Sequence, residues 1–393
     1  MLRHPLTWIA VVGAALMGVV MTASYIGGLV DPVGHLRDAP IGFVNADDGD
    51  SGAQLQEQVT ASGDGRVDWQ VLDSQAEAER RLRDDDLWGA IVVPEGFSAS
   101  IAAIGASPMT AQPAELLLLG NEGAGLFQPA IFTQVSTAAT TETSSTVRQQ
   151  LVAVLGADTV PVIGQPVVAK EQAVVALPDK AGRGIAPFYL SVMLTLGGFL
   201  AASIVGVGID LLRGGSRLEL FGRVVDLRIG GVDHEVRPLR LWVAKAVPTF
   251  VAAVLAGLLA VGTALVVFGM DVSSAGKAYA LGALGAAAVA MISLVFLTLF
   301  GIAGELLGVL FTTIFGVPAA LGIYPYQAIP GAFRFIAAWH PLRYLSDGMR
   351  SIAFFDASGA GLGRGTVVVA VWLVGAVGVG AGCAWLLDRR VAH

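Results

Sequence analysis

The sequence has few charged residues and almost no cysteine. Only 14% of its 393 residues are charged and 54% are hydrophobic, whereas soluble domains carry about 25% charged residues. Cys383 is the single cysteine, so the chain can form neither an internal disulfide nor a metal site of several cysteines. A composition so poor in charge predicts an integral membrane protein.

Motifs of common enzymes are also missing. The chain has no G-x-x-x-x-G-K-[ST] phosphate loop, no H-E-x-x-H zinc motif and no G-x-S-x-G nucleophile motif. We therefore expect no enzymatic activity and no metal or cofactor. The net charge of −7 and the lack of a basic patch argue against nucleic acid as a partner.

Long uncharged runs predict six transmembrane helices. The run from Ile185 to Asp210 has no charge between its ends and can cross a hydrocarbon core of ~30 Å. Further runs cover 8–30, 246–270, 278–323 and 366–387. The third of these is too long for one span, so we predict two spans that turn at Gly301, Gly304 and Gly308. The predicted fold is an α-helical polytopic membrane protein, with five helices in the domain 185–393.

The first run, within residues 1–30, is interpreted as an uncleaved signal-anchor helix. A cleavable signal peptide has an apolar core of about 7–15 residues and a small-residue cleavage site. The run 8–30 is longer than that and ends in a Gly-Gly-Leu-Val sequence followed by Asp31. A cleaved signal peptide is the alternative that this length disfavours.

Residues 31–184 form the one long polar region and are predicted to be an α/β (α+β) domain inserted between spans 1 and 2. Strand patterns at 40–45, 67–72, 88–93 and 114–119 alternate with helical patterns. Ser74 and Glu77 form a capping-box pattern at the start of one helix. With 21 acidic and 9 basic residues, the region has a net charge of −12.

Basic residues in the loop 211–245 predict the orientation. Lysine and arginine accumulate in cytoplasmic loops, and this loop and its edges hold Arg213, Arg217, Arg223, Arg228, Arg237, Arg240 and Lys245. With this loop inside, both termini are cytoplasmic. Residues 31–184 and 324–365 then lie on the extracytoplasmic face of a bacterial cell membrane.

Three groups of residues are candidates for function. Glu305 is an ionisable residue in an apolar run, which is either functional or a solvated residue of the hairpin. The segment 324–365 is either an interfacial amphipathic helix or a re-entrant element that lines a cavity. Asp47, Asp48 and Asp50 form either a calcium site, although the EF-hand order is not met, or a solvated turn.

A helix that begins near Leu342 would place Asp347 at contact spacing from two arginines, Arg343 and Arg350. Exposed ion pairs of this kind contribute only about 0.3–0.5 kcal/mol. A pair buried at the membrane rim would leave a costly unpaired charge if one partner were removed. We expect the buried arrangement, in which the segment supports a gate.

Three stretches together resemble the type-2 ABC exporter permeases. They read GFVNAD at 42–47, GAIVVPEGFS at 89–98 and HPLRYLSDGMR at 340–350. The positions that match the family's motifs are Asn45, Asp47, Pro94, Phe97, His340, Pro341, Tyr344 and Arg350. The resemblance covers the whole predicted topology. The stretch 25–45 looks like the phage-infection-protein branch of that family.

The resemblance implies a permease subunit that exports an amphipathic lipid, lipopeptide or drug. ATP would be bound only by a separate cytoplasmic ATPase subunit, and the permease would work in membrane lipid as a homodimer or heterodimer. The Gly-Thr segment that often accompanies ATPase docking is missing from the loop at 213–221. Two alternatives are a scaffold or receptor, secretion-associated or phage-receptor-like, that acts through the outer domain, and an ion-coupled carrier centred on Glu305.

Overall fold

The computed structural model divides the chain into two units. The α/β unit comprises residues 32–179 and 323–328, and the helical unit comprises 1–31, 180–322 and 329–393. The structure describes residues 15–16, 18–27, 31–61, 65–156, 164–212, 217–220, 223–226 and 237–391. The domain predicted from the sequence covers 31–184, and the first part of the α/β unit covers 32–179, whereas the predicted outer segment 324–365 is divided between the two units.

The α/β unit contains a five-stranded sheet. Its order is β2-β1-β3-β4-β5, and only the β3–β4 pair is antiparallel. The strands are β1 (Ala39–Asn45), β2 (Val67–Leu72), β3 (Gly89–Val93), β4 (Ala114–Asn121) and β5 (Val167–Val175). The central strand β3 is buried along its whole length, as expected for a strand with helices on both faces.

Helices cover both faces of this sheet. They are α2 (Pro32–His35), α3 (Asp50–Ala61), α4 (Gln75–Arg83), α5 (Phe97–Ala106) and α6 (Phe127–Leu155). Helices α3, α5 and α6 contribute Leu55, Phe97 and Phe132 to one core, and α4 contributes Leu82 to the other. The Ser74 side chain accepts a hydrogen bond from the Glu77 backbone N–H and caps α4 as predicted.

A short segment from the far end of the chain completes the α/β unit. Ala328 is buried in a cluster with Leu36, Trp88 and Ile131, and the ring of Tyr324 meets the ring of Phe127 edge-on at 5.1 Å. The Arg37 backbone N–H also donates to the Gln327 carbonyl oxygen at 3.1 Å. We call residues 323–328 the strap, because the chain leaves the helical unit to form it and then returns.

Four helices of the helical unit are long and apolar enough to cross a membrane, among the residues that the structure describes. They are α7 (Ala186–Leu212), α8 (Pro238–Gly262, extended by a π-helical turn to Val267), α9 (Ala275–Phe300) and α14 (Leu362–Val391). Helix α1 (Gly18–Gly27) and the helical stretch 303–319 are apolar but shorter. Much of the predicted first span lies outside the described residues.

Helix α9 lies at the centre of the helical unit. Small residues on α9 and on its neighbours allow these helices to approach each other closely. A Cβ atom on Gly198 of α7 would overlap the Ala286 carbonyl of α9, and one on Gly257 of α8 would overlap Gly282. Glycine and alanine allow such backbone contacts between apolar helices. The run of α9 from Ala286 to Leu294 is completely buried.

The long apolar run 278–323 breaks at Gly301, as predicted. This glycine ends α9 with φ 57°, a backbone angle that glycine adopts at little cost. The chain continues as α10 (Ile302–Val309), a π-helical segment (Leu310–Phe315) and α11 (Gly316–Ala319). After the strap follow α12 (Gly331–Ala337) and α13 (Pro341–Phe354).

The predicted cytoplasmic loop is shorter than the range 211–245. Helix α7 continues to Leu212 and α8 begins at Pro238. Between them the structure describes two short antiparallel strands, β6 (Arg217–Leu220) and β7 (Arg223–Asp226). The remainder of the loop, including Arg213 and Arg228, lies outside the described residues.

Candidate functional site

The first group of predicted residues meets where β1 ends. The Asp47 side chain is only 8% exposed and accepts hydrogen bonds from the Ser98 hydroxyl at 2.5 Å and the Ser98 backbone N–H at 3.2 Å. The Gly49 N–H donates to the same carboxylate at 3.3 Å. The Asn45 side-chain oxygen accepts from the Asp47 N–H at 3.1 Å. Because N–H and O–H donors fill this carboxylate, it is a structural anchor and not an arrangement for a calcium ion.

The second motif explains how Ser98 reaches this position. The strand β3 is fully buried and stops at Pro94, and Gly96 adopts φ 76°, which favours glycine. The Phe97 side chain then enters the core and is 2% exposed, so that the next residue, Ser98, faces Asp47. The structure thus brings Asn45, Asp47, Pro94 and Phe97 together at the contact between β1 and α5. We call this group, with Ser98, the lock.

The hydrogen bonds of this lock control the charge of Asp47. Burial alone would raise the pKa of the Asp47 carboxyl, but the bonds from Ser98, Gly49 and Gly52 stabilise its ionised form and leave the pKa lowered overall. A lowered pKa in the folded state stabilises the fold above the pKa of the unfolded chain, near 3.8. This contribution is lost as the pH falls through the lower folded value.

Replacing Asp47 with asparagine is expected to destabilise the α/β unit by about 1–3 kcal/mol, because buried N–H groups lose a charged acceptor. Hydrogen–deuterium exchange of β1 and α5 in the full chain measures the change at pH 7. Ser98→Ala should act on the same elements, and the double variant should cost less than the sum of both.

The neighbouring Asp48 provides the control for this prediction. Its side chain is exposed, so Asp48→Asn should leave exchange unchanged. The difference between the wild-type chain and Asp47→Asn should also shrink as the pH falls from the unfolded pKa near 3.8 through the lower folded pKa, where the wild-type carboxyl becomes protonated. Equal exchange in Asp47→Asn and Asp48→Asn at pH 7 would contradict the lock.

A second group of residues meets at the π-helical segment 310–315. A π-helix is rare and often marks a functional position, and side chains from elsewhere form hydrogen bonds with three backbone carbonyls of this segment. His340 Nε2 lies 3.0 Å from the Phe311 oxygen, the Tyr25 hydroxyl donates to Thr313 at 3.1 Å, and the Ser24 hydroxyl donates to Ile314. His340 therefore joins the start of α13 to the π-helical segment, and α1 contacts the same segment.

His340 also caps α13. Its Nδ1 accepts a hydrogen bond from the Leu342 N–H at 3.2 Å, and Pro341 occupies the first helical position, where a missing N–H is tolerated. The His340 side chain is completely buried. The family motif at this position is thus a helix start that is held by the π-helical segment.

The polar face of α13 carries a group of charged side chains. Asp347 lies 3.7 Å from Arg343 and 4.0 Å from Arg350, at the predicted spacings. These side chains are 26%, 18% and 21% exposed, respectively, so the pairs are mostly buried, although not completely. The prediction of a covered ion-pair group is closer to the structure than that of a surface helix.

A further arginine, Arg364 at the start of α14, joins this group and was not predicted. Its Nη2 lies 3.4 Å from the Tyr344 hydroxyl, and its guanidinium lies over the Tyr344 ring at 5.3 Å. The guanidinium of Arg343 lies 5.5 Å from the same ring. The only sequence signal for Arg364 is its place as a charge at the start of a long apolar run. We call Arg343, Asp347, Arg350 and Arg364 the arginine cluster.

Glu305 is half-buried and accepts a hydrogen bond from the Ser203 hydroxyl at 2.8 Å. It lies in the first turn of α10, next to Gly304, whose Cβ position is occupied by the backbone of Phe296. The carboxylate thus joins α10 to α7 beside the turn. This placement supports the interpretation as a hairpin residue more than that as the centre of an ion-coupled carrier.

A buried ion pair joins the two helices that flank the predicted cytoplasmic loop. Lys245 Nζ lies 2.5 Å from Asp210 Oδ1, and the side chains are 4% and 18% exposed. Sequence analysis placed Lys245 among the loop cations, whereas the structure places it inside α8. This ion pair therefore links α7 to α8 close to the end of α7.

Comparison with known proteins identifies the family. Residues 6–386 match the family model of the ABC-2 family transporter proteins, and no curated protein matches the chain. A solved domain from Thermotoga maritima MSB8, described as part of an ABC type-2 transporter, is 20% identical over 34% of this chain and 86% of that one. Its TM-score of 0.24 supports no conclusion about the fold. The family match spans both units of the structure, and the chain therefore belongs to the ABC-2 family of transporter membrane proteins.

Proposed function

We propose that this chain is the permease subunit of an ABC-type exporter that moves an amphipathic substrate. The observation that carries the proposal is the family match over residues 6–386, together with long apolar helices that pack around α9. The family implies a separate ATPase subunit and a dimer. The chain would supply the path, and the ATPase would supply the energy.

The Asp210–Lys245 pair supports ATPase coupling at the loop between α7 and α8. A coupling element must transmit motion to the spans, which requires loop ends that do not move independently. Breaking a buried ion pair by removing one partner typically costs about 3–5 kcal/mol. A pair of this kind, with Lys245 4% exposed, would fix both loop ends to the helical unit.

Six spans, cytoplasmic termini and an extracytoplasmic α/β unit complete the proposed topology. Labelling intact cells with a membrane-impermeant thiol reagent tests it in a Cys383→Ala background. Met109→Cys, at a side chain that is 85% exposed, should react, whereas Ser216→Cys, which lies outside the described residues, should react only after lysis. The opposite labelling pattern would reverse the orientation.

Capture of the tagged chain from its native membrane in mild detergent tests the function. We expect an ATPase subunit to co-purify, and we expect the reconstituted complex to move a fluorescent amphipath only with ATP. A chain that folds but binds no ATPase, and shows no ATP-dependent movement, would favour the scaffold or receptor alternative. The phage-infection-protein branch would predict such a role for the acidic α/β unit.

A further inference from the structure

The arginine cluster contains three arginines and one aspartate of the helical unit. Asp347 forms ion pairs with Arg343 and Arg350, and Arg364 joins the group through the ring and the hydroxyl of Tyr344. We propose that the arginine cluster binds the phosphate-bearing anionic headgroup of an amphipathic ligand. Guanidinium groups bind phosphate oxygens in bidentate geometry, and the exposed guanidinium of Arg364 can offer N–H donors to such an anion.

The cluster is held in position while remaining accessible. The Arg343 Nη1 donates to the Ala337 carbonyl at 3.4 Å, and the Tyr344 hydroxyl donates to the Ala338 carbonyl at 2.5 Å. These contacts fix the guanidinium groups against the end of α12. Arg364 is exposed, so an anion can approach from its side without opening the packed helices.

Aromatic side chains next to the cluster suit the apolar part of such a ligand. The Trp372 Nε1 donates to the Trp339 carbonyl at 3.0 Å, and the two rings lie 5.9 Å apart. Trp339 is 38% exposed and Phe335 is 72% exposed. Trp372 follows Arg364 by eight residues, or ~12 Å along the helix. Tryptophan side chains are enriched at membrane–water interfaces.

If the cluster binds such a headgroup, anionic amphipaths are the substrate class of the proposed exporter. Only the movement of the ligand, and not its binding, rests on the proposed function. Binding is measured without ATP or transport, so the two proposals fail separately. An exporter without headgroup preference would refute the site alone. A chain that binds the headgroup and exports nothing would refute the export function alone.

Tryptophan quenching by brominated lipids tests the site in the full chain reconstituted in vesicles. Brominated phosphatidylglycerol should quench more strongly than brominated phosphatidylcholine, and Trp372→Phe should remove most of this difference. Arg364→Gln should lower the apparent affinity for phosphatidylglycerol about fivefold, the effect of one cation near a membrane surface. Arg364→Lys should restore most of the preference.

Asp347→Asn should change the preference for phosphatidylglycerol in the opposite direction to Arg364→Gln. Removing the carboxylate should increase the preference for phosphatidylglycerol if the cluster binds anions, whereas a purely structural ion pair predicts a decrease or no change. If this variant does not fold, Arg364→Gln and Arg364→Lys decide whether the cluster binds anions. Arg183→Gln, at an exposed arginine just before α7, is the matched control and should leave the preference unchanged.

Three results would overturn the proposal. Equal quenching by the two lipids in the wild-type chain shows that no headgroup is selected. Equal loss of the preference for phosphatidylglycerol in Arg364→Gln and Arg183→Gln shows that the preference comes from the general surface charge and not from the cluster. Stabilisation of the detergent-solubilised chain by inorganic phosphate, without preferential quenching by phosphatidylglycerol, assigns the cluster to free phosphate instead of an amphipath.

Discussion

Replacing Gly304 with leucine is expected to prevent the helical unit from assembling. The Cβ position of Gly304 is occupied by the backbone of Phe296 and Leu297, and a backbone cannot rotate away as a side chain can. The turn at Gly301 would have to open to admit any larger residue. We expect a cost above about 4 kcal/mol, in the range that disrupts a native fold, and a near-complete loss of monodisperse protein in detergent.

Gly375 provides the matched control for this prediction. It lies in α14, another apolar helix, with nothing within 4 Å of its Cβ position. Gly375→Leu should therefore give a normal yield and a normal size-exclusion profile. If Gly304→Leu also assembled normally, the close contact between α10 and α9 would be wrong. Gly304→Ala should give an intermediate result, because even one methyl group overlaps the same atoms.

Placing an aspartate at Ala328 is expected to destabilise the α/β unit, although this residue lies far in sequence from residues 32–179, which form most of the unit. Ala328 is 1% exposed in a cluster with Trp88, which is 5% exposed. An unpaired polar group in such a cluster costs several kcal/mol. With a cost of about 2–4 kcal/mol, the melting temperature of this unit should fall by roughly 5–15 °C.

Hydrogen–deuterium exchange around Trp88 and Ile131 measures this effect in the full chain. Gln327→Ala is the control, because Arg37 contacts the carbonyl of Gln327 and not its side chain. An excised fragment of residues 31–184 should show the same dependence: we expect it to melt at a lower temperature than a fragment to which 321–330 is joined by a flexible linker. Equal melting of the two fragments would show that the strap does not contribute to this core.

Local signals in the sequence predicted most of the α/β unit. The strand at Val67–Leu72 and the cap at Ser74 have the expected positions, because alternation and capping act within a few residues. Helix α3 was not predicted, since its only buried apolar side chains are Leu55 and Val59. Strand β5 was missed because an edge strand can expose polar residues such as Lys170 and still complete a sheet.

The sequence identified residues of the candidate site but not the groups that these residues contact. Motif resemblance selected Asp47 and His340, yet no local rule pairs Asp47 with Ser98 or His340 with the Phe311 carbonyl. These contacts depend on where distant segments pack. The strap was not predictable for the same reason, and neither was the π-helical segment, since apolar residues in an all-apolar run show no periodicity that separates π from α turns.

The π-helical segment 310–315 also determines where the chain length can vary. A π turn contains one residue more than the α turn that it replaces, so losing one residue here would yield a regular helix and leave both flanks facing their present neighbours. A deletion elsewhere in the helical stretch 303–319 would rotate everything beyond it by about 100°. In an alignment of related chains, we therefore expect a one-residue gap to be tolerated at this point, together with loss of the hydrogen bonds that join this segment to Tyr25 and His340.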